Sequence, residues 1–183
     1  VEETGMGNAH HKVLKNFYAA THTPGVEDLV MEARQGDDGL TTLEYSPYGV
    51  IGAITPTTNP TETIICNTIG MLAAGNTVVF SPHPRARRLS AWLVDVLNHA
   101  MIEAGAPDNL ITVITEPTPA TTKALINHPD ITMLVATGGP QIVSMVLSSG
   151  KKAIGAGSGN PPAVVDETAD VAKAASDIVQ GAS

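Results

Sequence analysis

The chain has 183 residues, 43 % of them hydrophobic and 15 % charged, with a formal net charge of -8. That size fits one large domain or part of a larger protein, and the composition supplies core material and excludes extended disorder. The acidic balance argues against a nucleic-acid partner, the single cysteine excludes an internal disulfide and fits a reducing compartment, and no apolar run approaches the roughly 20 residues of a membrane span.

Residues 2–20 are mostly helix-compatible, although Gly5 and Gly7 weaken the pattern. Val1 reads as mid-helix with no signal peptide before it, an opening expected of a fragment. Residues 21–41 hold Pro24, Gly25, Gly36 and Gly39 and read as irregular; residues 41–46 read as a strand ended by Pro47. From there the chain alternates. Strands are expected at 50–54, 77–80, 110–115, 132–136 and 152–154, with a further one at 163–166. Helices are expected at 60–74, 85–104, 119–127, 140–149 and 169–180. The longest shows the evidence best: Leu89, Leu93, Val96, Leu97, Ala100 and Ala104 recur at three- and four-residue spacing, and Gly105 and Pro107 stop the helix. Short apolar strands alternating with amphipathic helices define an α/β fold: a doubly wound, mostly parallel, Rossmann-like sheet with helices on both faces. Residues 1–41 then form an N-terminal helix and irregular segment, and 42–183 the sheet domain.

Loops at the carboxyl ends of parallel strands form the ligand crevice of such folds, and each here opens a helix whose free N–H groups favour anions. The richest is residues 48–60, Y-G-V-I-G-A-I-T-P-T-T-N-P. Asn59 stands at a strand end before Pro60. Its local reading is a helix cap, with Pro60 at the first helical position and Glu62 where a capping-box acid would sit. Its functional reading is an amide donor aimed at a developing oxyanion. Arg85, Arg87 and Arg88 crowd a helix start, where the macrodipole disfavours cations. They form either a solvated basic face or a site for ligand phosphates. His83 has no second histidine or carboxylate at metal-ligand spacing, so no metal site is read. Thr137, Gly138, Gly139 and Pro140 make a strand-end turn that is either merely tight or a neighbour of phosphate or nicotinamide. The stretch at 155–160, G-A-G-S-G-N, has Asn160 where a dinucleotide fingerprint needs glycine, and Pro161 and Pro162 stop any helix from opening. Its glycines fit a close backbone approach to a neighbouring element or ligand. Cys66 lies among Ile64, Ile65 and Ile69 and reads as a core thiol.

The motifs S-P-Y-G-V-I-G-A-I-T-P-T-T-N-P-T-E-T, S-P-H-P-R-A, A-T-G-G-P and G-A-G-S-G-N-P-P together resemble the aldehyde dehydrogenase superfamily, in its CoA-acylating branch of microcompartment propionaldehyde and acetaldehyde dehydrogenases. The likeness runs from Val1 to Ser183. It implies that Asn59 supplies the oxyanion-hole amide and that Thr55, Pro56 and Thr57 line the nicotinamide side of an NAD cleft. It also implies that Ser81, Pro82 and His83 lie beside the adenosine ribose, with Ser81 in place of the usual lysine. Glu116 and Pro117 would lie by the adenine, Gly138 and Gly139 by the pyrophosphate, and Thr137 and Gly157 among the other cofactor contacts. The family's general-base glutamate has no counterpart at 155–158. Water is then poorly activated against a thioester, whereas a thiolate co-substrate needs no such base. The resemblance therefore implies acyl transfer to coenzyme A, with a small aldehyde substrate, a homo-oligomeric full-length enzyme, and residence in the cytoplasm or in a bacterial microcompartment. The family's nucleophilic cysteine lies just beyond G-A-S, which here is residues 181–183. The competing readings are a hydrolytic aldehyde dehydrogenase, a non-catalytic nucleotide-binding module and a fragment that contributes subunit contacts.

Overall fold

The structure, a computed structural model, describes residues 1–159 and 162–182. Asn160 and Pro161, which break the glycine-rich stretch, and Ser183, the last position of G-A-S, lie outside the described residues. Helix α1 (Ala9–His22) comes first, then a two-stranded antiparallel hairpin of β1 (Glu32–Gln35) and β2 (Leu40–Leu43). The main body alternates: β3 (Val50–Thr55), α2 (Pro60–Ala73), β4 (Thr77–Pro82), α3 (Arg87–Glu103), β5 (Ile111–Val113), α4 (Pro119–Asn127), β6 (Ile131–Thr137), α5 (Pro140–Leu147) and β7 (Lys152–Ala156). Helix α6 (Val171–Ala182) closes the described chain.

All pairings in the five-stranded sheet are parallel, in the order β5-β4-β3-β6-β7. The expected doubly wound sheet is therefore present. The order reverses direction at β3, with β4 on one side and β6 on the other, and that switch point is where such sheets open a crevice. Alternation along the central strands feeds two cores. Ala53, Val78 and Phe80 pack with Ile64 and Ile65 of α2 and Leu93 and Val94 of α3. Ile54, Leu134 and Ala136 pack with Leu125 and Ile126 of α4 and Val146 of α5. Helices thus cover both faces, as strands buried on both sides require.

Five expectations for the periphery are corrected. Helix α1 starts at Ala9 rather than at residue 2, because Gly5 and Gly7 adopt φ of +67° and +81° and Asn8 caps the helix by accepting from the N–H groups of His10 and His11. Val1 accordingly lies in a turn region, not mid-helix. The segment 21–41 contains β1, and the strand expected at 41–46 is shorter and shifted to Leu40–Leu43, where β1 supplies its partner. The strand expected at 163–166 is not formed: these residues are irregular and pair with no strand.

Candidate functional site

Three strand ends meet at the switch point and enclose a crevice of about 460 Å³. From β3 come Thr55 and Pro56; from β4 come Ser81 and Pro82, followed by His83. Pro117 and Thr118 precede α4, and Thr137, Gly138 and Gly139 lead into α5. Nine of the residues singled out in the sequence are therefore brought together. Thr55 is 2 % exposed and its hydroxyl has no hydrogen-bond partner. A buried hydroxyl left unsatisfied costs free energy, so a ligand that bonds it recovers that cost. At the α5 start, nothing lies within 4 Å of where a Cβ on Gly139 would project. The first-turn residues Gln141 and Ile142 also line the crevice, and their N–H groups have no partner within the helix.

The helix starts differ more than their sequence suggests. Helix α4 is capped internally: Thr118 Oγ1 accepts from Thr121 N at 3.1 Å, and Thr121 Oγ1 accepts from Thr118 N at 2.8 Å. Helix α3 is capped from a distance, with the Glu3 carboxylate accepting from Arg88 N at 3.0 Å and Leu89 N at 2.7 Å. Of α3, α4 and α5, α5 alone has no side chain capping its N-terminus, and that end lines the crevice. His83 caps the short turn Pro84–Ala86 by accepting from Arg85 N at 3.2 Å. The Ser81 hydroxyl lies 3.3 Å from that of Thr122, a crevice residue that sequence reasoning missed because it sits mid-helix on α4.

Asn59 does not cap α2; its side chain makes no capping hydrogen bond. Nor does Glu62 close a capping box. It pairs with Lys12 at 3.2 Å and accepts from Thr61 Oγ1 at 3.0 Å. Asn59 instead lines a second, larger hollow of about 860 Å³ between α1 and α2, together with Lys15, Tyr18, Glu62 and Cys66. Its Oδ1 accepts from Lys12 Nζ at 2.9 Å and, more weakly, from Lys15 Nζ at 3.5 Å. Lys12, Lys15 and Tyr18 carried no signal in the sequence, being more than 40 residues away from Asn59. Cys66 is half-buried rather than fully buried: it packs against the first core, lines this hollow, and its Sγ accepts from Thr23 Oγ1 at 3.1 Å.

Thr57, Glu116 and Gly157 do not line the crevice. Thr57 Oγ1 is buried without a partner. Glu116 pairs with Arg87 at 2.6 Å. Arg85 donates to the Thr4 carbonyl at 3.0 Å, and the exposed Arg88 guanidinium has no partner among the described residues. In the glycine-rich stretch, Gly155 fulfils the close-approach reading: a Cβ there would lie 2.6 Å from Val143 Cγ1, whereas one on Gly157 would meet nothing within 4 Å. Two carboxyls lie below their ordinary range, both at exposed turns outside the two hollows. Glu27 is lowered by the Gly25 N–H, and Asp166 by the Thr168 hydroxyl and N–H. Among the described residues no three His, Cys, Asp or Glu side chains are grouped to hold a metal, and no helix is long and apolar enough to cross a membrane.

A five-stranded parallel sheet with helices on both faces and a crevice at its switch point defines a Rossmann-like α/β fold, the class that places its ligands there. The aldehyde dehydrogenase family pattern matches residues 8–183, and the chain belongs to that family. It is 55 % identical over 181 residues to a CoA-propanoylating propanal dehydrogenase of Citrobacter freundii, covering 99 % of this chain and 39 % of that protein. It superposes with a TM-score of 0.91 and 65 % identity on the Rhodopseudomonas palustris propionaldehyde dehydrogenase with bound propionyl-CoA, covering 99 % of this chain and 40 % of that one. A propionaldehyde dehydrogenase from the Clostridium phytofermentans fucose utilisation bacterial microcompartment superposes with the same TM-score at 57 % identity, covering 99 % and 42 %. The chain thus spans about two fifths of the length of the relatives it matches.

Proposed function

We propose that this chain is the dinucleotide-binding part of a CoA-acylating aldehyde dehydrogenase, which oxidises a short-chain aldehyde to its acyl-CoA. Residues 42–183 form the nucleotide-binding unit, with 1–41 as an N-terminal helix and connecting segment. NAD, which supplies the hydride acceptor when bound, fits the crevice at the switch point. The Thr55 hydroxyl and the α5 N–H groups at Gln141 and Ile142 are the donors and acceptors available to hold it, and Thr137, Gly138 and Gly139 let a pyrophosphate approach the backbone. Pro56, Pro82, His83 and Pro117 form the wall on which the rest of the nucleotide lies, with Thr57, Glu116 and Gly157 as further contacts. Arg85, Arg87 and Arg88 contribute contacts to phosphates of NAD or coenzyme A.

Asn59 carries the reading. Its carboxamide is not spent on capping, its oxygen is held by lysine, and no described residue accepts from its Nδ2. That leaves an N–H donor for the oxyanion formed when a thiolate adds to an aldehyde. The nucleophilic cysteine is contributed by a part of the full-length enzyme outside this chain. With no carboxylate at 155–158 to activate water, the thioacyl enzyme passes its acyl group to coenzyme A. Similarity to an enzyme from a microcompartment supports residence there, and the full-length enzyme is expected to be a homo-oligomer.

The test is product analysis on the full-length enzyme with propionaldehyde. NADH and propionyl-CoA should form one for one, only when coenzyme A is present. Equal rates without coenzyme A, with free propionate as product, would establish the hydrolytic enzyme instead. Asn59→Ala should lower kcat about 10²- to 10³-fold, as losing an oxyanion donor does elsewhere.

A further inference from the structure

We infer that Lys12, on α1, is a positioning residue that sets the orientation of the Asn59 carboxamide. The inference rests on the reading of Asn59 as the oxyanion donor. An amide aimed at an oxyanion works only with its NH₂ turned towards the reacting oxygen. Turned over, it presents a carbonyl and repels the charge. Nothing in the backbone of residue 59 decides between the two, since the amide ends have nearly the same shape.

Lys12 decides it by chemistry. An ammonium group has three donors and no acceptor. Lys12 Nζ finds three acceptors: the Thr58 carbonyl at 2.7 Å, Asn59 Oδ1 at 2.9 Å and Glu62 Oε1 at 3.2 Å. Two of these cannot rotate into anything else. The Thr58 carbonyl is backbone, and the Glu62 carboxylate accepts at either oxygen. They hold the ammonium in place, and the third N–H then requires Asn59 to present oxygen. Rotating the amide would put NH₂ against NH₃⁺. The lysine side chain is 18 % exposed and that of Glu62 12 %, so water competes little for either group. Lysine is rarely withdrawn from solvent to this degree unless paired. The cation also polarises the amide it bonds, which strengthens the opposite N–H as a donor. The outcome is an Asn59 whose Oδ1 is taken, by Lys12 and more weakly by Lys15 at 3.5 Å, and whose Nδ2 has no acceptor among the described residues.

The experiment compares Lys12→Met, Asn59→Ala and the double variant in the full-length enzyme, by steady-state CoA-dependent NADH formation with propionaldehyde. Lys12→Met should lower kcat about 10- to 100-fold, the scale of a misplaced catalytic group, while KM for NAD+ changes little. The double variant should be no slower than Asn59→Ala, because the lysine acts only through the amide. Lys12→Arg, which keeps a donor-only cation, should recover most of the loss. Wild-type kcat in Lys12→Met, or losses that multiply in the double variant, would overturn the inference while leaving Asn59 as the donor. Wild-type kcat in Asn59→Ala would remove the underlying reading itself. If Lys12→Met does not fold, Lys12→Gln decides. It still donates to the Thr58 carbonyl but tolerates either amide orientation, so the same fall in kcat is expected and an unchanged kcat counts against the proposal.

Discussion

Gly52 shows at the scale of one residue how tightly the switch point is built. It lies mid-way along β3, the central strand, and a Cβ there would stand 3.0 Å from Leu134 Cδ2, 3.2 Å from Ile131 Cγ2 and 3.4 Å from Leu125 Cγ. All three neighbours belong to the second core, so none can give way without disturbing the packing of α4 on the sheet. Gly52→Ala should therefore lower stability by about 1–3 kcal/mol through overpacking, read as a lower urea midpoint with an unchanged slope. Asn59 marks where residue-level reading stopped. Local sequence favoured a cap, because Asn-Pro with a following acid is what a capped helix start looks like. The acid is instead bound by Lys12, whose place beside it depends on how α1 crosses α2. No window of sequence around residue 59 contains that information.

The elements of the parallel sheet were legible because each carries its own signal: β-branched runs four to six residues long, proline at helix starts, glycine at helix ends. Strands and helices from residue 50 to 156 appear close to their expected bounds, the edge strand β5 being trimmed to three residues. What failed lies outside the sheet. The hairpin β1–β2 is exposed on every residue, so its strands have no buried face to generate alternation. The apolar run at 163–166 had composition without a neighbour. The start of α3 gives the sharpest case. Its three arginines stood out as misplaced charge, and tertiary contacts resolve part of that conflict. Glu3 places a carboxylate on the helix N-terminus, Arg85 bonds the Thr4 carbonyl, and Arg87 pairs with Glu116. The Arg87–Glu116 pair is 46 % and 75 % exposed at its side chains and contributes under about 1 kcal/mol, so a ligand phosphate could displace it. Arg88 already stands free. Arg88→Ala and Arg87→Ala in the full-length enzyme should each raise KM for NAD+ or for coenzyme A several-fold, with kcat preserved, since phosphates far from the reacting atoms give uniform binding. Unchanged constants for both nucleotides would reduce the cluster to a solvated face.

Considered whole, the proposed function assigns nucleotide binding and chemistry to different parts of the chain. The switch-point crevice is lined by the ends of β3, β4 and β6 and the starts of α4 and α5, and it holds the unsatisfied Thr55 hydroxyl. The hollow that Asn59 lines is different. It is bounded by α1 and α2, and its one thiol, Cys66, is half-buried with its sulfur bonded by Thr23. That thiol receives a hydrogen bond from a hydroxyl, and neither a cation nor a general base is among its hydrogen-bonding partners in the described residues. Several apolar side chains on α1 and α6 are also uncovered, Val13 at 68 %, Phe17 at 66 % and Val171 at 72 % exposure among them. The isolated 183-residue chain should accordingly give a saturable heat of NAD+ binding in calorimetry, and bind a hydrophobic dye. It should form no NADH from propionaldehyde and coenzyme A. Adding NADP+ in place of NAD+ tests the nucleotide preference in the same cell. Robust CoA-dependent NADH formation by this chain alone would mean that Cys66 attacks the aldehyde beside Asn59. Absence of saturable heat with either nucleotide would mean that the crevice needs walls this chain does not supply.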